Sequence, residues 1–295
     1  MTTKKFQTLG LMVKRDDADA SAALRLSLAH LKDHPVELLL EENAAGIADD
    51  ASLKALPLDA LARQCDLMIV IGGDGTLLTA ARAMAESDVP IVGVNLGRLG
   101  FLADVSLDQL GHFLDQLLNG QLITERRALL TTWLERDGNK VNQTFALNDA
   151  VLHKWEMARM IEFDAYIDDS YITTYRSDGL VIATPTGSTA YSLSAGGPIL
   201  HPALDAIGLS PICPHTLNNR PLVIGAESEI RIRIREGFHK HSLLSIDGQV
   251  CHRIEPGDDI VVARHSKRIQ LLHPPGYDYY EILRAKLRWG EQPWI

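Results

Sequence analysis

Ile69-Val70-Ile71-Gly72-Gly73-Asp74-Gly75-Thr76-Leu77-Leu78 puts a carboxylate in the kind of turn that ordinarily receives an anion. An apolar run enters a glycine-rich turn, and Leu77, Leu78, Ala81 and Met84 then recur at helical spacing. Glycines let backbone amides approach a phosphate closely, and a helix N-terminus adds partial positive charge. Asp74 fits two roles that spacing alone weighs equally. As a base it would take the proton of a hydroxyl attacking a phosphoryl group; as a structural residue it would cap the helix that follows. No Gly-Lys-Ser/Thr follows the glycines, so this is not a Walker loop, and the Gly-x-Gly-x-x-Gly of dinucleotide-binding dehydrogenases is missing as well.

A second chemical segment runs from Ser177 to Pro198, with seven hydroxyl side chains between Thr184 and Ser194. Hydroxyls both donate and accept, which suits a sugar or the edge of a base, and Tyr191 offers a face for stacking. A flexible surface loop is the plain alternative. The apolar lead-in Leu180–Ala183 and the Gly196-Gly197-Pro198 exit favour a binding loop that strand and turn hold in place. Asn148-Asp149 is either a turn or a pair that binds hydroxyls. Arg176 and Asp178 read in isolation as a surface ion pair worth little, and Asp247-Gly248-Gln249 as a hairpin turn. The eleven histidines show no paired metal spacing, and His153, His201 and His215 are read as structural.

These residues need a scaffold, and the pattern predicts two. Leu9–Val13, Val36–Leu40, Leu67–Ile71 and Pro90–Asn95 read as strands, with helices over Asp19–Lys32 and Leu58–Gln64. Such alternation predicts a parallel sheet covered by helices. After Thr124 the period becomes two. Arg159–Asp168 and Glu229–Arg235 alternate strictly, and Ser242–Ile246, Asp259–Ala263 and Arg268–Leu272 add short strands, predicting a β-rich antiparallel domain. Arg231, Arg233 and Arg235 read as a solvated sheet face, not a nucleic-acid patch. Tyr277–Trp289 reads as a helix returning to the first domain. The division is 1–124, joined by a C-terminal helix at 276–295, and 125–275.

Composition narrows the class. The 295 residues carry 29 Lys+Arg against 38 Asp+Glu, a net charge of −9, which disfavours broad binding to nucleic acid or anionic lipid. Cys65, Cys213 and Cys251 are too few for a disulfide framework and form no zinc pair. Met1 to Phe6 is polar and no apolar run approaches a bilayer span, so a cytoplasmic protein is expected, with neither nucleic acid nor membrane as partner.

Taken together, the segments resemble the NAD kinases in their proteobacterial form. The glycine-aspartate turn alone is shared with diacylglycerol kinases, sphingosine kinases and, more loosely, phosphofructokinases. The discriminating pieces are Asn95-Leu-Gly-Arg-Leu-Gly-Phe-Leu-Ala-Asp104, Leu147-Asn-Asp-Ala-Val-Leu-His153, Asp178 to Pro202, and Asp247-Gly-Gln249, in matching order across Leu67 to Gln249. Met160-Ile-Glu-Phe163 and Pro214-His215 also resemble the family.

The resemblance implies a two-domain fold and transfer of the ATP γ-phosphoryl group to the 2′-hydroxyl of the adenosine ribose of NAD. It implies Asp74 as proton acceptor, with Gly72, Gly73, Gly75 and Thr76 at the ATP phosphates. NAD would meet Gly75, Phe101, Asn148, Asp149, Arg159, Arg176, Asp178, Thr186, Thr189, Ala190, Tyr191, Ser192, Ser194 and Gln249, some of them across a subunit boundary. It further implies Mg²⁺ or another divalent metal arriving with ATP, metal ligands on the protein being unassigned, and a homo-oligomer, dimer or tetramer. Thr79 stands where some relatives have Arg or Lys, and Asn95-Leu96 replaces the more usual Asn-Arg, removing two cations. A lipid kinase of the same superfamily would want an apolar groove; a non-catalytic NAD-binding regulator would not need Asp74.

Overall fold

The computed structural model describes residues 6–48, 50, 52–97, 100–155, 160–215 and 218–289. It divides into two compact units: Met1–Glu125 with Ile269–Ile295, and Arg126–Arg268.

The first unit begins with β1 (Thr8–Val13), α1 (Ala18–Leu31), β2 (Glu37–Glu41), α2 (Glu42–Ala48), β3 (Lys54–Leu56) and α3 (Leu58–Gln64). It continues through β4 (Leu67–Ile71), α4 (Asp74–Ala83), β5 (Ile91–Asn95), β6 (Val105–Ser106) and α5 (Leu110–Leu118). The strands pair in parallel in the order β3-β2-β1-β4-β5-β6. The apolar runs Leu67–Ile71 and Ile91–Val94 make up β4 and nearly all of β5, and both strands, with Asn95 at the end of β5, are buried along their whole length, as strands covered on both faces must be. Register then matters for chemistry. Ile71 stands opposite Val94, and the Gly72 amide donates to the Val94 carbonyl at 2.9 Å. The turn after β4 and the segment after β5 therefore leave the sheet side by side at its C-terminal edge, where ligands of open α/β sheets bind.

The second unit takes in most of β7 (Ile123–Arg136), then β8 (Asn139–Ala146), β9 (Asp149–Lys154), β10 (Ile161–Ile167), β11 (Ser170–Ser177), β12 (Gly179–Ala183) and the short α6 (Tyr191–Ser194). β13 (Ala206–Ile212), β14 (Leu222–Gly225), β15 (Ile230–Ile234), β16 (Ser242–Ile246), β17 (Val250–Arg253) and most of β18 (Asp259–His273) follow. One sheet runs β11-β10-β15-β18, with β7 on β18 and β8 on β7; the other runs β14-β13-β12-β9-β16-β17. Both supply the core: Ile161, Phe163, Ile230 and Ile232 from the first meet Leu152, Ile182, Leu209 and Ile246 from the second. The outward arginines are matched to carboxylates, Arg231 to Glu135 at 3.0 Å, Arg233 to both oxygens of Asp259, and Arg235 to Asp164 at 3.1 Å. The end of β18 and α7 (Tyr279–Leu287) belong to the first unit, where Leu271 pairs in parallel with Ile91. The fold is thus a mostly parallel α/β unit and a β-rich antiparallel unit.

Two sequence expectations are corrected. Asp259–Ala263 and Arg268–Leu272 are one strand: His265 takes an inward position between them, 8% exposed and bonded to the Thr131 hydroxyl at 2.9 Å, so the alternation continues through a polar stretch. The hydroxyl-rich segment is not an open loop, since Thr186–Thr189 is a 3₁₀ turn and Tyr191–Ser194 a short helix.

Candidate active site

In the first unit, Gly73 occupies the N-cap position of α4 with no capping side chain, and Asp74 is the first helical residue. A Cβ on Gly73 would meet nothing within 4 Å, so the helix start is open on that side. Asp74 reaches the other way. One oxygen accepts from the Phe101 amide at 3.0 Å, and the second accepts from Leu102 and Ala103 at 3.1 and 3.2 Å. Gly100 is required at this approach, because a Cβ there would lie on the Asp74 carboxylate. The helix-cap reading of Asp74 is therefore replaced by a different geometry: the side chain gathers three amides of the segment after β5. It remains half-buried, fixed in direction without being sealed from solvent. Phe101 is also half-buried, with the Lys286 ammonium 5.8 Å from its ring centroid.

The same segment ends in Asp104, which accepts from His273 Nδ1 at 2.9 Å. The other imidazole nitrogen lies 3.2 Å from Glu125, the Tyr277 hydroxyl donates to the same Glu125 oxygen at 3.1 Å, and the Tyr277 ring stacks on His273 at 3.7 Å. Burial pulls the His273 ring toward its neutral form, but the hydrogen bonds and charges of Asp104 and Glu125 outweigh it, so its pKa lies above the ordinary histidine value.

In the second unit, the strand start at Asn148-Asp149 is clamped from two sides. The Asp247 carboxylate, at the hairpin turn between β16 and β17, accepts from the Leu147, Asn148 and Asp149 amides at 3.1, 2.8 and 3.1 Å. Asp247 and Gly248 both have positive φ, 50° and 64°, which suits that turn. From the other side, the Thr184 hydroxyl donates to the Leu147 carbonyl at 2.5 Å, and Gly187 lies so close to the Asn148 backbone that a Cβ would overlap it. What remains is the Asp149 side chain, in a residue 4% exposed. Burial first, and then the Asp247 charge, push its carboxyl up to about 7. Carboxylates with values raised to this degree are candidates for function.

The hydroxyl-rich segment divides by direction. Ser188 bonds the Pro185 carbonyl and the Leu200 amide, Ser192 bonds Ser210, and Arg127, itself 1% exposed, donates to Thr186 at 3.3 Å. Thr186 and Ser192 are buried, Thr189 and Ala190 half-buried, and Tyr191 and Ser194 exposed. Arg176 and Asp178 do not pair with each other: Arg176 lies 3.5 Å from Glu162, and Lys154 lies 2.7 Å from Asp178. Gln249 is exposed, its amide donating to the Ile246 carbonyl. Arg159 and the Arg98-Leu99 part of the Asn95–Asp104 motif lie outside the described residues. Sequence reasoning missed Arg127, Asp104, His273 and the clamping role of Asp247; the last carried a signal, an acidic residue at a turn with room for its side chain to reach back.

Among the described residues, no group of three or more His, Cys, Asp or Glu side chains is arranged to hold a metal ion. No helix is long and apolar enough to cross a membrane.

Comparison with known proteins places both units in one context. The profile of the ATP-NAD kinase N-terminal domain matches residues 21–122, and that of the C-terminal domain matches residues 147–273. The chain is 45% identical to the NAD kinase of Teredinibacter turnerae over 287 residues, covering 97% of this chain and 98% of the relative. It is 42% identical to that of Saccharophagus degradans, covering 97% of each. The crystal structure of yeast NADH kinase complexed with NADH superposes with a TM-score of 0.90 at 28% identity, over 99% of this chain and 90% of that one. An NAD kinase from Archaeoglobus fulgidus in complex with ATP shares the fold with a TM-score of 0.75 at 23% identity.

Proposed function

The chain belongs to the ATP-NAD kinase family, and from that premise we propose how its residues divide the work. The reaction moves the γ-phosphoryl group of ATP to the 2′-hydroxyl of the adenosine ribose of NAD, giving NADP. A bond forms between the ribose 2′-oxygen and the γ-phosphorus, the bridge to the β-phosphate breaks, ADP leaves, and the hydroxyl proton goes to Asp74. The observation that carries this assignment is the Asp74 carboxylate, oriented by three backbone amides and still half-buried. Gly72, Gly73, Gly75 and Thr76 receive phosphate oxygens at the open start of α4. Asn148 and Asp149 hold ribose hydroxyls. Thr186, Thr189, Ala190, Tyr191, Ser192 and Ser194 in the second unit contact the dinucleotide, and Phe101 in the first unit is a further contact. Arg159, Arg176, Asp178 and Gln249 complete the contacts. Phosphoryl transfer asks little covalent chemistry of a protein, so positioning and charge stabilisation are what these residues supply. A divalent cation, magnesium by preference, enters on ATP, and the working form is a cytoplasmic homo-oligomer.

The test offers NAD and a diacylglycerol together as acceptors, with ATP and Mg²⁺. NADP is the expected product; phosphorylated lipid with NAD untouched would overturn the reading. Asp149→Ala removes a charge-assisted contact of about 1.5–3 kcal/mol, so NAD affinity falls about one to two orders of magnitude. Unchanged affinity by calorimetry would return Asp149 to a purely structural place.

A further inference from the structure

We infer that His273 is a positioning residue for the reaction: protonated between Asp104 and Glu125, it anchors the segment that holds Asp74. The inference rests on Asp74 being the base, and its geometry lies wholly within the first unit. His273 is 1% exposed, and both ring nitrogens meet carboxylates, Asp104 at 2.9 Å and Glu125 at 3.2 Å. A neutral imidazole carries one N–H and satisfies one of them; only the imidazolium donates to both. Asp104 has more at stake than Glu125, because its other oxygen is buried with no hydrogen-bond partner among the described residues. A carboxylate left there without a cation pays for desolvation unaided.

Asp104 immediately follows Phe101, Leu102 and Ala103, whose amides grip the Asp74 carboxylate. One end of that segment closes on Asp74 through Gly100, where no side chain fits, and the other is tied to the histidine. Among the described residues, the titratable groups in contact with His273 are Asp104 from the end of this segment, Glu125 from β7, and Tyr277 from the turn before α7. Both carboxylates favour the charged ring against the effect of burial, so the tie is lost as pH rises through the raised value. When the proton leaves, one of the two bonds goes with it, and whichever nitrogen keeps its N–H, Asp104 loses the positive charge that faced it. The Gly100–Asp104 segment then loosens, and the amides that aim Asp74 lose their fixed position.

The experiment follows amide exchange of the Gly100–Asp104 segment in the full chain from pH 6.5 to 9.5, normalised for intrinsic exchange, beside kcat for NADP formation by wild type and His273→Gln. In the wild type, protection and kcat should fall together by about tenfold, the loss of one charge-assisted bond. Gln has no proton to lose in this range, so the variant should show kcat reduced about tenfold at pH 7, KM for NAD nearly unchanged, and no alkaline limb. Constant protection across this range, or a variant that keeps the wild-type limb, would overturn the inference. If His273→Gln fails to fold, the wild-type exchange profile decides alone. Failure of the base assignment is a separate result, an Asp74 variant that remains active, and leaves the exchange outcome to judge the histidine.

Discussion

Asp149→Asn should make the ligand-free protein more stable at alkaline pH and a poorer NAD binder. The carboxyl is pushed from its ordinary 3.8 up to about 7 by burial and by Asp247. Between those values the folded state binds the proton and the unfolded state does not, so stability falls as pH rises through the window. The gap between 3.8 and about 7, at 1.36 kcal/mol per pH unit, amounts to about 4 kcal/mol above pH 7 and vanishes below pH 4. Asn is neutral at every pH and matches the protonated acid in size, so it avoids that loss. Urea unfolding at pH 4 and pH 8 reads the effect directly. The variant should gain about 2–4 kcal/mol relative to wild type at pH 8 and almost nothing at pH 4, while its NAD affinity falls. A mutant-to-wild-type difference that is the same at both pH values would refute the reasoning, because it would mean that Asp149 carries no native-state charge strain.

Gly187→Ala drives a Cβ into the Asn148 backbone; a midpoint lowered by several °C is expected, at about 2–4 °C per kcal/mol, with a raised KM for NAD, and a normal melting curve would show that the close approach is dispensable. EDTA should abolish turnover by stripping the cation from ATP while NAD binding by calorimetry survives; turnover that persists would exclude a divalent requirement. Asp247→Asn keeps one carbonyl oxygen for the Asn148 and Asp149 amides, turns an NH₂ toward the Leu147 amide, and removes the charge facing Asp149. The pH dependence of KM for NAD should then move to lower pH, and an unmoved profile would break the link between the two carboxylates.

The parallel core was legible because Leu67–Ile71 and Ile91–Val94 are continuous apolar runs, as expected of strands in a sheet covered on both faces. In α5 the buried Leu110, Phe113, Leu114 and Leu117 lie at helical spacing, a signal present in the sequence and not taken up. β18 was harder, since a buried histidine stood where an apolar residue would have marked the inward face. At the site, residue types pointed to Asp74, Asn148-Asp149 and the hydroxyl-rich segment, but not to how they are held. Asp74 meets amides 27 to 29 residues away, Asp247 meets amides 98 to 100 residues away, and His273 meets Asp104 across 169 residues. Such pairings arise from register and strand order, which local periodicity does not encode. The direction of the hydroxyls was hidden for the same reason, because Ser192 turns inward to Ser210 on a neighbouring strand.

The central claim, that Asp74 takes the ribose proton, is tested most directly by kcat for NADP formation with Asp74→Asn, read beside the NAD dissociation constant. The substitution is well suited to this fold. Leu102 and Ala103 donate to one Asp74 oxygen and Phe101 to the other, so an Asn carbonyl in the first position keeps two of the three amides. What it removes is the proton acceptor. General-base catalysis is worth about 10²–10⁴-fold, so kcat should fall by that order while NAD affinity changes less than about tenfold. A variant within about threefold of wild-type kcat would contradict the claim, and so would equal losses in affinity and kcat, which would make Asp74 a holder of the Gly100–Ala103 segment and not the base.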